Sequence, residues 1–473
     1  MHLDSGLHPV ALAVCLLLGL GLAAPARPCS TFMLSREGAL VYGHNLNENG
    51  IDVPGMVFVN KRGVLKRGRT WHEMTSRGGD GPSSLVWISR HGSVTFNFFG
   101  RDLPDGGMND AGLYIWEMSD RADYPKDPSM PRLMHMNWMQ FVLDSYETID
   151  DVIRSAGSTQ IDGWAWHYFV ADRRGESASI EFHDGEVVVH RDAGMPVPAL
   201  FNEPYSREME VLRFFEGFGG TYPVDLASPD TPRVAKAAKL LGEDPAGRDP
   251  VDYAFTILDT LKVAETPKWS VVFDVSGQRV YFKTRLNPAV KSFDLSALDF
   301  SNRSPVQMLD IDIPEGGSVD ARLHPYSDAE MLAFLLALPL PDGFVTGGGL
   351  TRQEFCDRAA THWHAAERPE THGFAGRWVE APAPSDRKKG GAWSIELTAD
   401  GNRVSGTITR EGSSIQRVPL DHLRMIGPEL HFTFRRGGTG AIFEVRGTIG
   451  GDRLDARLLG MEDDFGSITF RRE

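Results

Sequence analysis

Residues 29–47 read CSTFMLSREGALVYGHNLN, and the fold turns on how this stretch begins. Within it GALVYGHNL (38–46) is rich in β-branched, aromatic and aliphatic side chains and opens on a glycine, the composition of a strand leaving a turn. Just upstream, LGLAAPARP (20–28) closes an apolar segment. The run Val10 to Ala24 is too short to cross a bilayer comfortably, and Ala24-Pro25-Ala26 offers the small-x-small pattern of a signal cleavage site. The residues before that run include His2 and His8 but no Lys or Arg, so the terminal amine supplies the sure positive charge. On this reading residues 1–28 are a signal peptide followed by a short pro-segment, Arg27-Pro28, and the mature chain is exported to the periplasm or the cell exterior. An uncleaved N-terminal anchor is the alternative.

Cys29 then has three possible uses. Lipidation needs a small residue just before the cysteine, and Arg27-Pro28 supplies none. A structural role would pair it with Cys356, because Cys15 lies in the leader and export permits a disulfide. The third use is as a nucleophile freed by processing. A free α-amine has a pKa of roughly 8 and a thiol roughly 8.5, so an N-terminal cysteine carries its own base. The amine takes the thiol proton near neutrality and returns it to a leaving amine, and no histidine is needed. That use requires a second cut, made by the protein itself or by another enzyme, to remove Arg27-Pro28.

Downstream, the chain divides into three. Residues 29–305 mix strand-like runs (WHYFVADRRG, SASIEFHDGEVVVH, WSVVFDV) with amphipathic stretches (ETIDDVIRSA, YSREMEVLRFF, RVAKAAKLL, PVDYAFTILDTL), which indicates a layered α+β domain. Residues 306–372 read as a connector with two helices, each opened by a capping box: Ser327 with Glu330, and Thr351 with Glu354. Residues 373–473 are short alternating runs (GRWVEA, AWSIELTA, LHFTFRRG, GSITFRRE) broken by Gly, Asp and Asn, the pattern of a separate all-β barrel or sandwich. A chain of 473 residues with 41% hydrophobic and 24% charged side chains is globular and large enough for more than one core. Its formal charge of −15 argues against binding a phosphate backbone, so no nucleic-acid partner is expected.

The order of motifs carries the next step. CSTFMLSREGALVYGHNLN, VFVNKRG, DGGMNDAGL, NWMQFVLDSYETIDDVI, ALFNEPY, TPRVAKAAKLL and DPVDYAFTILDTLKVAETPKWSVVFDVSGQRVYFKT follow one another from Cys29 to about Asp299. Together they resemble the choloylglycine hydrolase family, the linear amide C–N hydrolases that include conjugated bile acid hydrolases and penicillin V acylases. The resemblance implies an αββα sandwich of the N-terminal nucleophile hydrolase type. It also implies an exported amidohydrolase acting on a small-molecule N-acyl amide through a Cys29 thioester. By the same resemblance Cys29 supplies nucleophile and base, Asn202 is an oxyanion donor, and Arg233 holds the site's hydrogen bonds and favours the thiolate.

Three departures accompany it. His44 stands where the family has Arg, Asn47 where it has the Asp that holds the α-amine, and Ser119 near its second oxyanion Asn. Ser119 is therefore a candidate for substrate binding, and Trp116, with Trp138, Trp164 and Trp166, is a candidate for lining an acyl pocket, with core packing the default for such large rings. No cofactor, no metal and no stable membrane insertion of the mature chain are expected, and a homo-oligomer stays open. Two other functions compete: an acyltransferase using the same thioester, and a binding or scaffold protein on an impaired hydrolase fold. His362, His364 and His372 in THWHAAERPETH are expected at a solvated helix end rather than on zinc, and NKRGVLKRGR in a solvated hairpin. DGGMNDAGL lacks the spacing of a phosphate loop.

Overall fold

A computed structural model describes residues 29–47, 54–77, 85–243, 247–263, 268–338, 349–366, 375–381, 391–400, 403–426, 429–436, 441–450, 452–460 and 464–473. The expected signal peptide and pro-segment lie outside them. The opening stretch forms an antiparallel hairpin in which Ser30–Arg36 pairs with Ala39–Leu46. Its turn falls at Glu37-Gly38, where Gly38 adopts φ +77, a region glycine enters without a Cβ clash.

Successive side chains of these strands face opposite ways. Phe32, Leu34 and Val41 turn outward into a helix-covered core, while Cys29, Met33, Tyr42 and Leu46 turn inward. The hairpin sits in a seven-stranded sheet ordered Ala199–Leu200, Ser30–Arg36, Ala39–Leu46, Trp269–Asp274, Arg279–Thr284, Lys291–Asp294, Gly317–Ser318. Helices Tyr205–Leu212, Arg233–Gly242 and Pro250–Leu261 cover its outer face.

A nine-stranded sheet faces the inner side and runs from Glu186–Arg191 at one edge, through Trp166–Ala171 and Tyr114–Ser119, to His324–Pro325 at the other. Its outer face is covered by helices His135–Ser145 and Ile149–Ala156, the second capped by Thr148. Aromatic side chains fill the space between the sheets: Phe96 touches Trp269, Phe273 and Phe282, and Tyr114 touches Tyr42 and Phe273. Burying each such ring contributes roughly 1.5–3 kcal/mol. The paired glycines of DGGMNDAGL have a packing cause. A Cβ on Gly106 would lie 2.2 Å from the Trp116 indole on the neighbouring strand.

One of the two expected capping boxes closes fully. At the start of helix Asp328–Ala337, Ser327 Oγ accepts from the Glu330 amide, but the Glu330 carboxylate turns to His324 and the Ser327 amide to Met308, so that box is half made. Thr351 and Glu354 exchange bonds of 3.2 and 2.7 Å at the start of Arg352–Ala366. The first boundary, expected at 305, lies later. Gln307–Asp310 pairs with Met56–Asn60, and His324–Pro325 pairs with Gln307–Asp310, so the two-sheet body extends to the helix beginning at Asp328. The connector helices also pack on that body. Phe355 meets Phe99, Arg358 donates to the carbonyls of Glu73 and Ser76, and Tyr326 donates to the carbonyl of Ala360.

The C-terminal strands form one antiparallel sheet round a single core centred on Trp378, Ile395, Phe432, Phe434 and Phe470. That sheet is not separate. Its eleven strands include Leu65–Arg67 and Val86–Ile88 from the first domain, joined through the pair Ile426 and Trp87. The cause is alternation. Leu65 and Ile88 enter the C-terminal core, while Lys66 and Trp87 face the first domain. There Lys66 Nζ lies 2.7 Å from Asp102 Oδ1 and 2.9 Å from Asp144 Oδ2, and Trp87 Nε1 donates to Asp144 at 2.8 Å.

NKRGVLKRGR is therefore a buried joint between two cores, not a solvated hairpin: Lys61, Lys66 and Arg69 are all buried. Burial works against the Lys66 charge, but the two carboxylates more than offset it and hold its pKa above the usual lysine value. Lys66→Met should destabilise the protein by about 3–5 kcal/mol, because two buried carboxylates lose their counter-ion. Urea unfolding measures this, and a loss under about 1 kcal/mol would contradict the buried joint.

Candidate active site

Strand register brings the site together. Thr31 pairs with Leu200 and Phe32 with Ala199. Continuing that antiparallel register sets Ser30 against Phe201 and Cys29 against Asn202. Arg233 is the first residue of its helix, behind Pro232, and helical side chains lean towards the N-terminus. The guanidinium is thereby thrown back over the sheet edge.

Arg233 Nη1 donates to the Cys29 carbonyl and, at 2.9 Å, to Ser30 Oγ, while Nη2 donates to Asn202 Oδ1 at 3.1 Å. Arginine only donates, so the amide oxygen of Asn202 must face it. The amide nitrogen then points the other way, and one of its hydrogens goes to the Ser119 carbonyl at 3.1 Å. Among the described residues Ser119 is the one acceptor bonded to that nitrogen. Burial lowers the Arg233 pKa from its ordinary value, opposed by Glu208 and Cys29. A guanidinium starts so far above neutrality that it keeps its charge. Cys29 is buried, as is Cys356, and neither is in a disulfide, so the bridge weighed from sequence does not form.

The remaining sequence candidates take different places. His44 faces inward on the strand beside Cys29, and its ring stacks on Trp116 with centroids 4.1 Å apart. Burial pushes its pKa well below the usual histidine value, so it is a neutral ring at physiological pH. Neither of its nitrogens has a hydrogen-bond partner among the described residues. Trp116 is 1% exposed and closes the core rather than an open wall, which counts against its candidacy for substrate contact. Ser119 meets Asn202 through its carbonyl. Asn47 is buried just past the end of the His44 strand. A hollow of about 410 Å³ opens beside Asn202, lined by Asp120, Arg121, Glu203, Ser206 and Arg207 among others.

No model of a known protein family matches the chain. Penicillin V acylase of Pectobacterium atrosepticum is 25% identical over 281 residues, spanning 49% of this chain and 73% of that protein. The structure of penicillin V acylase from Agrobacterium tumefaciens superposes with a TM-score of 0.53 at 22% identity, over 63% of this chain and 98% of that one. The chain is thus similar to penicillin V acylases over its first two-sheet body. A variant of conjugated bile acid hydrolase from Clostridium perfringens is more distant, with a TM-score of 0.46 and 14% identity over 62% of this chain.

The superposition shows the N-terminal nucleophile hydrolase fold. Arg233 touches Cys29 through its carbonyl, and His44 is an uncharged ring stacked on Trp116. Of the three histidines expected at a solvated helix end, His362 is buried, with its pKa lowered to about 4 by burial and by Arg69. His364 lies within the helix, and His372 falls outside the described residues.

Sequence reasoning missed a second set of residues. His167, Asp120 and Glu181 lie together under the Asn202 loop with their side chains at most 1% exposed. The available signal was weak: a histidine and a glutamate at inward positions of the apolar runs WHYFVA and SASIEFH.

Proposed function

We propose that this protein is an exported cysteine amidohydrolase that cleaves linear, non-peptide amides of N-acyl substrates through a Cys29 thioester. The observation that carries the reading is the single Arg233 side chain bonded at once to the Cys29 carbonyl, Ser30 Oγ and Asn202 Oδ1. It fixes nucleophile and amide donor relative to each other, which is the positioning that acyl transfer needs.

Removal of residues 1–28 gives Cys29 a free α-amine. The amine takes the thiol proton, and the positive Arg233 beside it favours the thiolate. The sulfur attacks the substrate carbonyl carbon and the C=O pair moves to oxygen. The second N–H of Asn202 stabilises that oxyanion without titrating. Collapse breaks the C–N bond, and the ammonium of Cys29 protonates the departing amine. Water, deprotonated by the same amine, then attacks the thioester and releases the acid. A hydrophobic acyl half is the expected preference.

The test is a screen of the purified mature protein against penicillin V, N-acyl amino acids, bile acid conjugates and N-acyl lactones, reading release of the free amine with any ring left intact. Turnover of at least one class, absent in Cys29→Ala, supports the reading. Undiminished turnover in Cys29→Ala refutes it.

A further inference from the structure

His167 lies on strand Trp166–Ala171, fully buried between the sheets. Its Nε2 is 2.6 Å from the carbonyl of Phe201, the residue just before Asn202. A carbonyl only accepts, so Nε2 carries a hydrogen. The other nitrogen, Nδ1, faces two buried carboxylates, Asp120 Oδ2 at 3.6 Å and Glu181 Oε1 at 3.8 Å. A bare lone pair there would oppose two negative groups, whereas an N–H is attracted to both. The geometry therefore asks for an imidazolium.

Glu181 is itself fixed: Oε1 accepts from the Tyr205 amide at 2.7 Å and from Ser179 Oγ at 2.8 Å. Its Oε2 faces His183 at 3.1 Å and His190 at 3.9 Å. Tyr205 opens the helix that follows Asn202, so the network grips the Asn202 loop on both sides.

We propose that His167 is a positioning residue for Asn202, that it does this as an imidazolium held by Glu181 and Asp120, and that loss of its proton loosens the amide that faces the oxyanion. Burial alone would lower the His167 pKa, but Glu181 and Asp120 outweigh it and raise the value above the histidine norm. Glu181 answers in the opposite sense. Burial would raise its carboxyl, but His167, the Tyr205 amide and Ser179 bring it to about 2.

The sign follows from linkage. A group whose folded pKa is raised supports the folded loop fully below its unfolded pKa and loses that support as pH rises through its folded pKa. Glu208 also feels the His167 charge. Burial pushes it up to about 7 against the pull of Arg233, so its own titration must be kept apart from that of His167.

The experiment compares kcat and KM of wild type and Glu181→Gln between pH 6 and pH 8. The glutamine keeps an acceptor for Tyr205 but removes the charge that holds the imidazolium. The ratio of variant to wild-type kcat should stay within about threefold of one at pH 6 and fall at least tenfold by pH 8, with KM within threefold. Rescue by acid is what a merely structural lesion would not show. The same slope should persist in a Glu208→Gln background. A flat ratio, or one that vanishes in that background, overturns the proposal.

A second readout needs no variant to fold well. Nitrogen shifts of ¹⁵N-histidine-labelled wild type at pH 7.5 should show both His167 nitrogens protonated, and a neutral ring would overturn the assignment. The proposal rests on Asn202 as the oxyanion donor. Wild-type turnover in Asn202→Ala would bring down both. Impaired Asn202→Ala with a flat Glu181→Gln ratio would bring down this proposal alone.

Discussion

Cys29→Ala should reduce amide turnover to background, a fall on the order of 10⁶-fold as for other deleted nucleophiles, while the protein still melts cooperatively. The side chain is small and its neighbours are hydrophobic, so removing one sulfur leaves a minor gap in a core that includes Met33 and Leu46. The loss is chemical: of the groups bonded to Arg233, Asn202 is a neutral amide and Ser30 carries only an ordinary hydroxyl. Ser30 Oγ is engaged by Arg233 and its strand points it to the helix-covered side, away from the inward face of Cys29. Cys29→Ser should also be strongly impaired, because a hydroxyl ionises far less readily than a thiol and is the weaker nucleophile in a site shaped for sulfur. Initial-rate measurements on both variants, with melting curves alongside, make the comparison. Residual turnover above about one part in a hundred in Cys29→Ala would point to a different nucleophile.

The second large effect belongs to the Asn202–Arg233 pair. Asn202→Ala removes the neutral donor aimed at the developing oxyanion and should lower kcat by about 10²–10³ with little change in KM. Arg233→Lys keeps the charge and loses the fork. One ammonium on a flexible stem cannot hold the Cys29 carbonyl, Ser30 Oγ and Asn202 Oδ1 together. Misplacing Asn202 by about an ångström should lower kcat by about 10²-fold. Because the two residues act as one unit, the double variant should fall far short of the product of the single losses, which a double-mutant cycle reads directly. Full additivity would mean that Arg233 works independently of Asn202.

The helices and the hairpin were legible in the sequence because their causes are local. The N-cap bonds of Ser327 and Thr351 each span only three residues, and Pro250 opens a helix that its apolar spacing announces. Cys29 stood out as a candidate nucleophile because the chemistry proposed for it depends on a junction just upstream. Asn202 and Arg233 were found only through resemblance. What joins them to Cys29 is an edge strand whose register is set about 170 residues later in the chain.

The joint at Lys66 shows the limit most plainly. A run with five basic residues looks solvated until Asp102 and Asp144 arrive from elsewhere, and until Leu65 and Ile88 find a core built mainly from residues beyond 375. His167 was hidden for the same reason. A buried histidine in a strand has no local signature, and its charge depends on Asp120, Glu181 and the Phe201 carbonyl, each from a different strand or loop.

The central claim is that Cys29, freed as the N-terminus, carries the acyl group. Mass spectrometry of the mature protein, acid-quenched during turnover of an N-acyl substrate and digested, tests it most directly. The account predicts an N-terminal peptide that begins at Cys29 and bears the acyl group as a hydroxylamine-labile thioester. Full activity in a protein that begins at Arg27, or an acyl group on any other residue, would contradict it.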